Sequence, residues 1–203
     1  KSQKAVLHRN KGDNCVPDSY APIIEPMNPD SKITLANTGG RPTQTTFPYF
    51  NFERDNAGLI FAISWNGQWA CQFSRDADGT LRIQGGQELT HFVLYPGEEV
   101  RGPRVVILFY TGDKQHGQNL WRQWMIAYNL PHPYGAPPKV PMLFGCSSHQ
   151  YGEMVNANTD TQKMFIEKYI QRGFHLDYWW MDAGWYPCDG QWPKTGTWEV
   201  DET

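Results

Sequence analysis

A proline-rich segment at residues 130–141 (LPHPYGAPPKVP) constrains the fold of this chain more than any other sequence feature. It holds five prolines in twelve residues. Because proline fixes φ and lacks a backbone N–H, such a run can neither continue a helix nor pair fully within a sheet. The segment predicts a semi-rigid linker and a domain boundary.

The residues before this segment are predicted to form a β-sandwich. From about residue 15 to residue 112, short apolar runs are separated by Gly, Asn, Asp and Pro at the spacing of sandwich strands. Asn66-Gly67 lies between two apolar runs, which is the strongest short-range signal for a hairpin. The runs flanking that turn are residues 59–65 and 68–73, and further strands are expected at residues 81–83, 90–94 and 105–110, the last between two layers.

The apolar period changes just before the proline-rich segment. Five apolar residues recur at spacings of one, three and four, which places them on one helix face. They are Leu120, Trp121, Trp124, Met125 and Tyr128. A helix is therefore expected to lead into the linker.

Beyond the linker, the sequence predicts a βαβ unit. A short apolar run at residues 142–146 is followed by Thr159-x-x-Gln162, a capping box for a helix that ends near Gly173. The next run, residues 176–181 (LDYWWM), is typical of a parallel strand buried on both faces. Residues 141–203 are far fewer than the about 250 of a (β/α)8 barrel, so an α/β domain ending after about its second strand is expected.

The strongest candidate for chemistry follows that last strand. Asp182 stands at the carboxyl end of the predicted strand, and Gly184, Trp185 and Tyr186 come directly after it. In α/β barrels this edge carries the groups that contact substrate. Asp182 is expected to accept hydrogen bonds from sugar hydroxyls, with Trp185 and Tyr186 stacking on a sugar ring. The alternative, that Asp182 caps a turn and the aromatic residues are core, has about equal weight from position alone.

Composition excludes several classes of function. Hydrophobic residues make up 39% of the chain, which rules out disorder as the main state. The net charge is −3, so the basic surplus of a nucleic-acid binder is absent. No apolar run reaches the about 18 residues of a membrane span, and the first thirty residues are too polar for a signal peptide.

Cysteine and histidine spacing indicates no metal site. The four cysteines include no C-x-x-C pair, and the six histidines show no ligand spacing. The spacing is compatible with one disulfide bond among the four cysteines. The start at Lys1 instead of Met fits a processed N-terminus as well as a cloning boundary, so the compartment is left open, with export slightly favoured over the cytoplasm.

Several stretches in order, across some 150 residues, resemble glycoside hydrolase family 36, the α-galactosidase or melibiase group of retaining enzymes. The stretches are residues 47–51 (FPYFN), 63–69 (ISWNGQW), 94–98 (LYPGE), 103–105 (PRV), 182–185 (DAGW) and 196–201 (GTWEVD).

The resemblance implies a supersandwich, a linking helix and a (β/α)8 barrel. It assigns residues 1–114 to the sandwich, 115–140 to the helix and linker, and 141–203 to the beginning of the barrel. A retaining mechanism uses two carboxyl groups about 5 Å apart. The resemblance places one of these groups on the fourth barrel strand and the other on the sixth, both beyond Thr203. The chain alone is therefore expected to be inactive. It implies no cofactor and leaves homo-oligomerisation open.

The resemblance also implies substrate contacts. The family strand usually ends Asp-Asp-Gly-Trp, whose two aspartates hold the O4 and O6 hydroxyls of galactose, whereas this chain has Ala183 in place of the second. Losing a charge-assisted acceptor costs about 1.5 to 3 kcal/mol, so galactose specificity is not assured. A tryptophan of the N-terminal domain reaches the sugar pocket in this family, which makes Trp65 and Trp69 candidates. As strand residues of a sandwich they are more often core, by about two to one.

Two hypotheses follow for function. The first is the N-terminal part of a retaining α-glycosidase that removes terminal α-linked sugars from oligosaccharides. The second is a non-catalytic β-sandwich module that binds carbohydrate through Trp65, Trp69 and Trp192. We favour the first, because a binding module has no use for a buried strand that ends at Asp182.

Overall fold

The computed structural model describes residues 4–132, 135–136, 142–147, 150–188, 190–192 and 196–202. Residues 1–130 and 131–203 form two compact units. Much of the proline-rich segment lies outside the described residues, so its predicted linker conformation stays a prediction.

The first unit contains eight strands in two antiparallel sheets. A five-stranded sheet has the order β2-β1-β4-β5-β8, and a three-stranded sheet has the order β3-β6-β7. The strands are β1 (Ala5–Lys11), β2 (Pro22–Pro26), β3 (Lys32–Ala36), β4 (Thr46–Arg54), β5 (Ala57–Ser64), β6 (Trp69–Arg75), β7 (Leu81–Gln87) and β8 (Arg104–Thr111).

Aromatic side chains from both sheets form the core of this unit. Phe50 of the five-stranded sheet lies 4.9 Å from Phe73 and 6.0 Å from Trp69 of the other sheet, between ring centroids. Phe61 and Phe73 meet edge to face at 5.8 Å. These inter-sheet contacts make the unit a β-sandwich, as the strand spacing predicted.

The predicted hairpin at Asn66-Gly67 is wrong. The strands on its two sides lie in different sheets, since β5 pairs with β4 and β8 whereas β6 pairs with β3 and β7. A type I′ turn needs positive φ at both central residues, and neither Asn66 nor Gly67 has one. Without that twist the strands diverge, and the chain crosses from one sheet to the other.

Two other strand predictions need correction. Residues 90–94 form an exposed irregular segment instead of a strand. The strand predicted at residues 105–110 exists as β8. It is an edge strand with an exposed apolar face and does not lie between two layers. The reason is the unequal width of the sheets: three strands cannot cover all five of the other sheet.

The predicted helix is present as α1 (Lys114–Tyr128), which packs against β5 and β8. The carboxylate of Asp113 caps it by accepting the backbone N–H of His116 at 2.8 Å. Trp121 packs on Tyr49 of the sheet at a centroid distance of 5.3 Å. The apolar stripe is therefore the face that binds the sandwich, although Met125 and Tyr128 at its end are exposed.

The second unit contains a βαβ arrangement. Strands β9 (Phe144–Cys146) and β10 (Tyr178–Trp180) pair in parallel, with helices α2 (Glu153–Asn156) and α3 (Thr159–Gln171) between them in sequence. The capping box of α3 is Asn158 with Thr161, not Thr159 with Gln162, because the Asn158 side chain accepts the Thr161 N–H at 3.0 Å. Gly173, with φ +80°, ends the helix as predicted.

Strand β10 is less buried than the sequence predicted. Tyr178 and Trp180 are both 61% exposed. Among the described residues, β9 is its one partner strand, so an apolar run that indicates burial on both faces lies here in a two-stranded sheet.

Candidate functional site

The carboxyl ends of β9 and β10 lie at one edge of their sheet, because the strands are parallel and Cys146 pairs with Trp180. Ser147 follows β9 directly, and Asp182 comes two residues after β10. Ser147 is buried, whereas Asp182 is exposed. The structure thus places the predicted carboxylate at the edge where parallel sheets bind ligands.

Hydrogen bonds between side chains hold this edge together. The Trp179 indole N–H donates to Gln162 Oε1 at 2.8 Å, and Gln162 Nε2 donates to Ser147 Oγ at 3.2 Å. One glutamine of α3 thereby joins β10 to the residue after β9. Because these three side chains are linked by hydrogen bonds, β10, α3 and the residue after β9 are held together at this edge.

Three aromatic rings lie together beyond Asp182. The Trp185 and Trp198 ring centroids are 5.7 Å apart with an interplanar angle of 33°, and Tyr186 meets Trp185 edge to face at 4.9 Å. The Asp201 backbone N–H donates to the Trp185 carbonyl at 2.9 Å, which ties the two segments together. We call Trp185, Tyr186 and Trp198 the aromatic cluster.

The members of the aromatic cluster differ in exposure. Tyr186 is only 5% exposed, so its ring supports the cluster and has no open face for a sugar. Trp185 is half-buried, and Trp198 is 72% exposed. The most exposed ring of the cluster is therefore that of Trp198, which the sequence prediction did not include among the site residues.

Trp198 adopts an unusual backbone conformation. Its φ is +58°, in the left-handed region that bulky side chains rarely occupy. Strained residues of this kind concentrate at functional sites. The sequence signal for Trp198 was present in residues 196–201, one of the stretches that carry the family resemblance.

Ala183 lies in an apolar environment. It is 7% exposed and packs in an apolar cluster with Tyr186 and Cys188, against which Met154 and Val155 also pack. Position 183, where the resemblance implies a carboxylate, is therefore a packing position in this chain. Among the described residues 181–188, Asp182 is the one carboxylate.

The two predicted tryptophans of the first unit lie in different environments. Trp69 is fully buried in the sandwich core, and its indole N–H donates to the Pro42 carbonyl at 2.8 Å. No face of that ring is open to a ligand, so we remove Trp69 from the candidate site. Trp65 is half-buried against the same core and lines a cleft beside residues 101–104.

Within the described part of the chain, no group of three or more His, Cys, Asp or Glu side chains is arranged to hold a metal ion. Cys15, Cys71 and Cys188, all among the described residues, form no disulfide bond. None of the helices in the described ranges is both long and apolar enough to cross a membrane.

Comparison with solved structures identifies a similar fold. The family 36 α-galactosidase AgaA from Geobacillus stearothermophilus aligns with 99% of this chain at a TM-score of 0.75 and 16% sequence identity. A doubly substituted variant of AgaA in complex with raffinose aligns with 91% of the chain at a TM-score of 0.66 and 15% identity. At such identities the likeness concerns the fold.

The chain corresponds to 28% and 26% of the lengths of these two AgaA chains. No protein-family model matches the sequence, and no curated protein matches it.

Proposed function

We propose that this chain is the N-terminal part of a retaining α-glycosidase that removes terminal α-linked sugars from oligosaccharides. The observation that carries the proposal is the exposed carboxylate of Asp182 after a parallel strand, next in sequence to the aromatic cluster. The similarity to the fold of an α-galactosidase over 99% of the chain supports the same reading.

In this proposal, the domains follow the assignment derived from the family resemblance. Residues 1–114 are the sandwich, residues 115–140 the helix and linker, and residues 141–203 the beginning of a (β/α)8 barrel. Strands β9 and β10 would be its first two strands. The parallel pairing of β9 with β10 and the helix between them support this placement.

Asp182 accepts hydrogen bonds from sugar hydroxyls in the proposed site. Trp198 and Trp185 pack against the apolar face of the sugar ring, and the buried ring of Tyr186 contacts both tryptophans. Cleavage with retention needs two carboxyl groups about 5 Å apart, one a nucleophile and the other an acid and then a base. The family resemblance assigns both to later barrel strands, so this chain supplies substrate contacts and not the catalytic pair.

The sugar preference follows from Ala183. A single carboxylate after β10 provides fewer charge-assisted hydrogen bonds than the family pair, a difference of about 1.5 to 3 kcal/mol. We therefore propose weaker discrimination in favour of α-galactosides than the family shows. A free binding module is the less favoured function, because it leaves the βαβ unit without a role.

The Asp182→Asn variant tests the proposal in the enzyme extended through a complete barrel. Asparagine keeps the shape of the side chain and removes its charge, so kcat/KM should fall by about 30- to 150-fold, equivalent to 2 to 3 kcal/mol. The melting temperature should change little, because asparagine keeps the shape of the side chain and an oxygen that can accept hydrogen bonds.

Asp177→Ala is the structural control. The carboxylate of Asp177, which lies before β10 instead of after it, accepts the Leu143 N–H at 2.8 Å, and alanine removes this acceptor. This variant should lower the melting temperature and leave kcat/KM nearly unchanged once folded protein is counted. If Asp182→Asn behaved in the same way, Asp182 would be a structural residue and the proposed site would be wrong.

A further inference from the structure

Asn66-Gly67, which does not form the predicted hairpin, lies in the short connection between the two sheets of the sandwich. Residues 65–68 join the end of β5 to the start of β6, and the chain bends at both Asn66 and Gly67. Among the asparagines of the chain, Asn66 alone is followed by glycine. The dipeptide therefore has no part in the pairing of strands.

The amide of Asn66 and the backbone nitrogen of Gly67 are both free of hydrogen bonds. Asn66 is exposed and Gly67 is half-buried. In the part of the chain that the structure describes, neither the Asn66 side chain nor the Gly67 N–H has a hydrogen-bond partner. Glycine also has no side chain that would obstruct an approach to its own nitrogen. Nothing in the fold therefore holds these two groups apart.

We propose that Asn66 is a site of spontaneous deamidation, in which asparagine loses ammonia. The Gly67 nitrogen gives up its proton and attacks Cγ of Asn66. The new N–Cγ bond closes a five-membered succinimide ring, the Cγ–Nδ2 bond breaks, and ammonia leaves with the proton. Water then opens the ring at one of its two carbonyl carbons. Attack at Cγ gives aspartate, and attack at the main-chain carbonyl carbon gives isoaspartate, whose backbone runs through the former side chain.

The isoaspartate product should strain the connection between the sheets, because both ends of that connection are anchored. Ser64 at the end of β5 pairs with Arg104 of β8. On the other side, Gln68 Nε2 donates to Glu88 Oε2 at 2.6 Å, and Trp69 is fully buried in the core. Isoaspartate adds one carbon to the backbone between these anchors, whereas aspartate leaves the backbone unchanged. The two products therefore differ in stability although they carry the same charge.

This inference goes beyond the proposed glycosidase function and does not depend on it. The reaction consumes only water and involves none of the residues proposed to contact substrate after β10. A failure of the Asp182 test would leave the deamidation prediction unaffected, and the reverse also holds.

Incubation of the 203-residue chain at pH 8, followed by peptide mapping with mass spectrometry, tests the proposal. Asn66 should deamidate at least tenfold faster than Asn56, an exposed asparagine that precedes Ala57 at the start of β5. The rate at Asn66 should rise with pH, because the attacking nitrogen must lose its proton. Similar rates at the two asparagines would overturn the assignment.

The same measurement in guanidinium chloride shows whether the fold leaves the site reactive. The rate at Asn66 in the folded chain should lie within tenfold of the rate in the unfolded chain, since no hydrogen bond protects either reacting group. A folded chain that reacts more than tenfold more slowly would show that the structure protects Asn66, and the proposal would be wrong.

Two glycine variants test the attack by the Gly67 nitrogen. Gly67→Ala should slow deamidation at Asn66 at least fivefold, because the methyl group crowds that nitrogen. Its Cβ would also lie 3.2 Å from the indole nitrogen of Trp65, so circular dichroism and melting temperature establish that the variant is folded. Gly86→Ala is the control, because nothing lies within 4 Å of the added Cβ, and it should leave the rate unchanged. An unchanged rate in Gly67→Ala, or an equal loss in Gly86→Ala, would overturn the mechanism.

Asn66→Asp separates the effect of charge from that of the longer backbone. The isoaspartate fraction of the aged chain, isolated by chromatography, should melt several degrees below the Asn66→Asp variant, which has the same charge and the native backbone. Asn66→Asp itself should melt close to the wild type. Equal melting temperatures of the isoaspartate fraction and Asn66→Asp would show that the connection absorbs the added carbon, and the predicted strain would be wrong.

Discussion

Ala183 shows how one residue limits the chemistry next to Asp182. Its methyl group is 7% exposed within the apolar cluster that includes Tyr186 and Cys188. Replacing it with the family's aspartate would bury a carboxylate among apolar groups. We predict that Ala183→Asp lowers the free energy of unfolding by about 2 kcal/mol or more, measured by urea unfolding. In the enzyme extended through a complete barrel, substrate profiling should show no gain in selectivity for galactosides.

Ala127→Asp, at an exposed position of α1, is the control for the Ala183 variant and should change the stability by less than about 1 kcal/mol. A stable Ala183→Asp protein with sharpened galactose selectivity would show that position 183 faces the sugar, against the packing observed here.

Because the thiol of Cys71 is buried, the stability of the fold should decrease at alkaline pH. Burial raises its pKa from 9.0 to about 12. Above pH 9 the thiol of the unfolded chain loses its proton while that of the folded chain keeps it, so stability is complete below about pH 9 and falls as pH rises toward 12. The folding equilibrium constant should drop by up to about tenfold per pH unit from this group.

Urea unfolding at pH 8, 9 and 10 measures the effect of Cys71. Cys71→Ala should flatten the decline, whereas Cys15→Ala, which removes an exposed thiol, should keep the wild-type slope. Tyr49, whose pKa burial raises to about 12, adds its own loss above pH 10. An identical slope in Cys71→Ala and the wild type would contradict the assignment to this thiol.

Single residues were predictable from the sequence where their place in an element fixed their environment. Asp182 follows a strand end, and the structure places it there. Tyr186 and Trp69 were candidates for sugar contact, each with a place in the core as the alternative, and both are buried. The sequence left the choice open, since local sequence does not reveal which neighbours enclose a ring. Trp69 is enclosed by Phe50 and the Pro42 carbonyl, which come from distant parts of the chain.

At the scale of elements, Tyr110 determines how α1 fits against the sandwich. Its hydroxyl donates to Asn51 Oδ1 at 2.7 Å on β4, and its ring lies against Gly117 of α1, where an added Cβ would be 2.6 Å from a ring carbon. The helix approaches the sheet this closely because residue 117 has no side chain. Asn51 is fully buried, so loss of the hydroxyl would leave its oxygen unsatisfied.

Gly117→Ala is predicted to destabilise the fold although alanine favours helices by about 1 kcal/mol. The ring of Tyr110 must shift to admit the methyl group, and the net loss should be about 1 to 3 kcal/mol in urea unfolding. Gly86→Ala, where nothing lies within 4 Å of the added Cβ, is the control and should be neutral or stabilising. Equal stability of Gly117→Ala and the wild type would contradict this packing.

Elements with a strong periodicity of apolar residues were predictable from the sequence, but the pairing of strands in the sheets was not. The stripe on α1 and the βαβ order of the second unit follow from local sequence. The hairpin at Asn66-Gly67 failed because turn residues only permit a hairpin, and here the demand for a two-layer core places β5 and β6 in opposite sheets. A tight hairpin does join β4 and β5 at Asp55-Asn56, with φ +56° at Asp55.

Across the first unit, the unequal sheets leave one apolar face open. Val105, Ile107 and Phe109 of β8 are exposed on the face of the sheet that bears Phe61 and Ile63, because β8 pairs with β5 at residues whose side chains enter the core. The sequence pattern of β8 alone suggests burial on both faces. Its true environment depends on the number of strands in the other sheet, which no local pattern encodes.

Phe109 is the most exposed residue of this face, at 75%. We predict that Phe109→Thr lowers binding of the dye ANS and reduces self-association in sedimentation velocity, because it removes apolar surface in contact with water. The free energy of unfolding should change by less than about 1 kcal/mol, since threonine suits a strand and little burial is lost.

Phe61→Leu is the control for the Phe109 variant: it removes volume on the same face where the side chain is 4% exposed, and should cost about 1 kcal/mol or more without lowering ANS binding. A loss of more than about 2 kcal/mol in Phe109→Thr would show that β8 is covered in solution. In that event the exposed face would be an interface, and the loss of stability should grow with protein concentration, since association stabilises the folded chain by mass action.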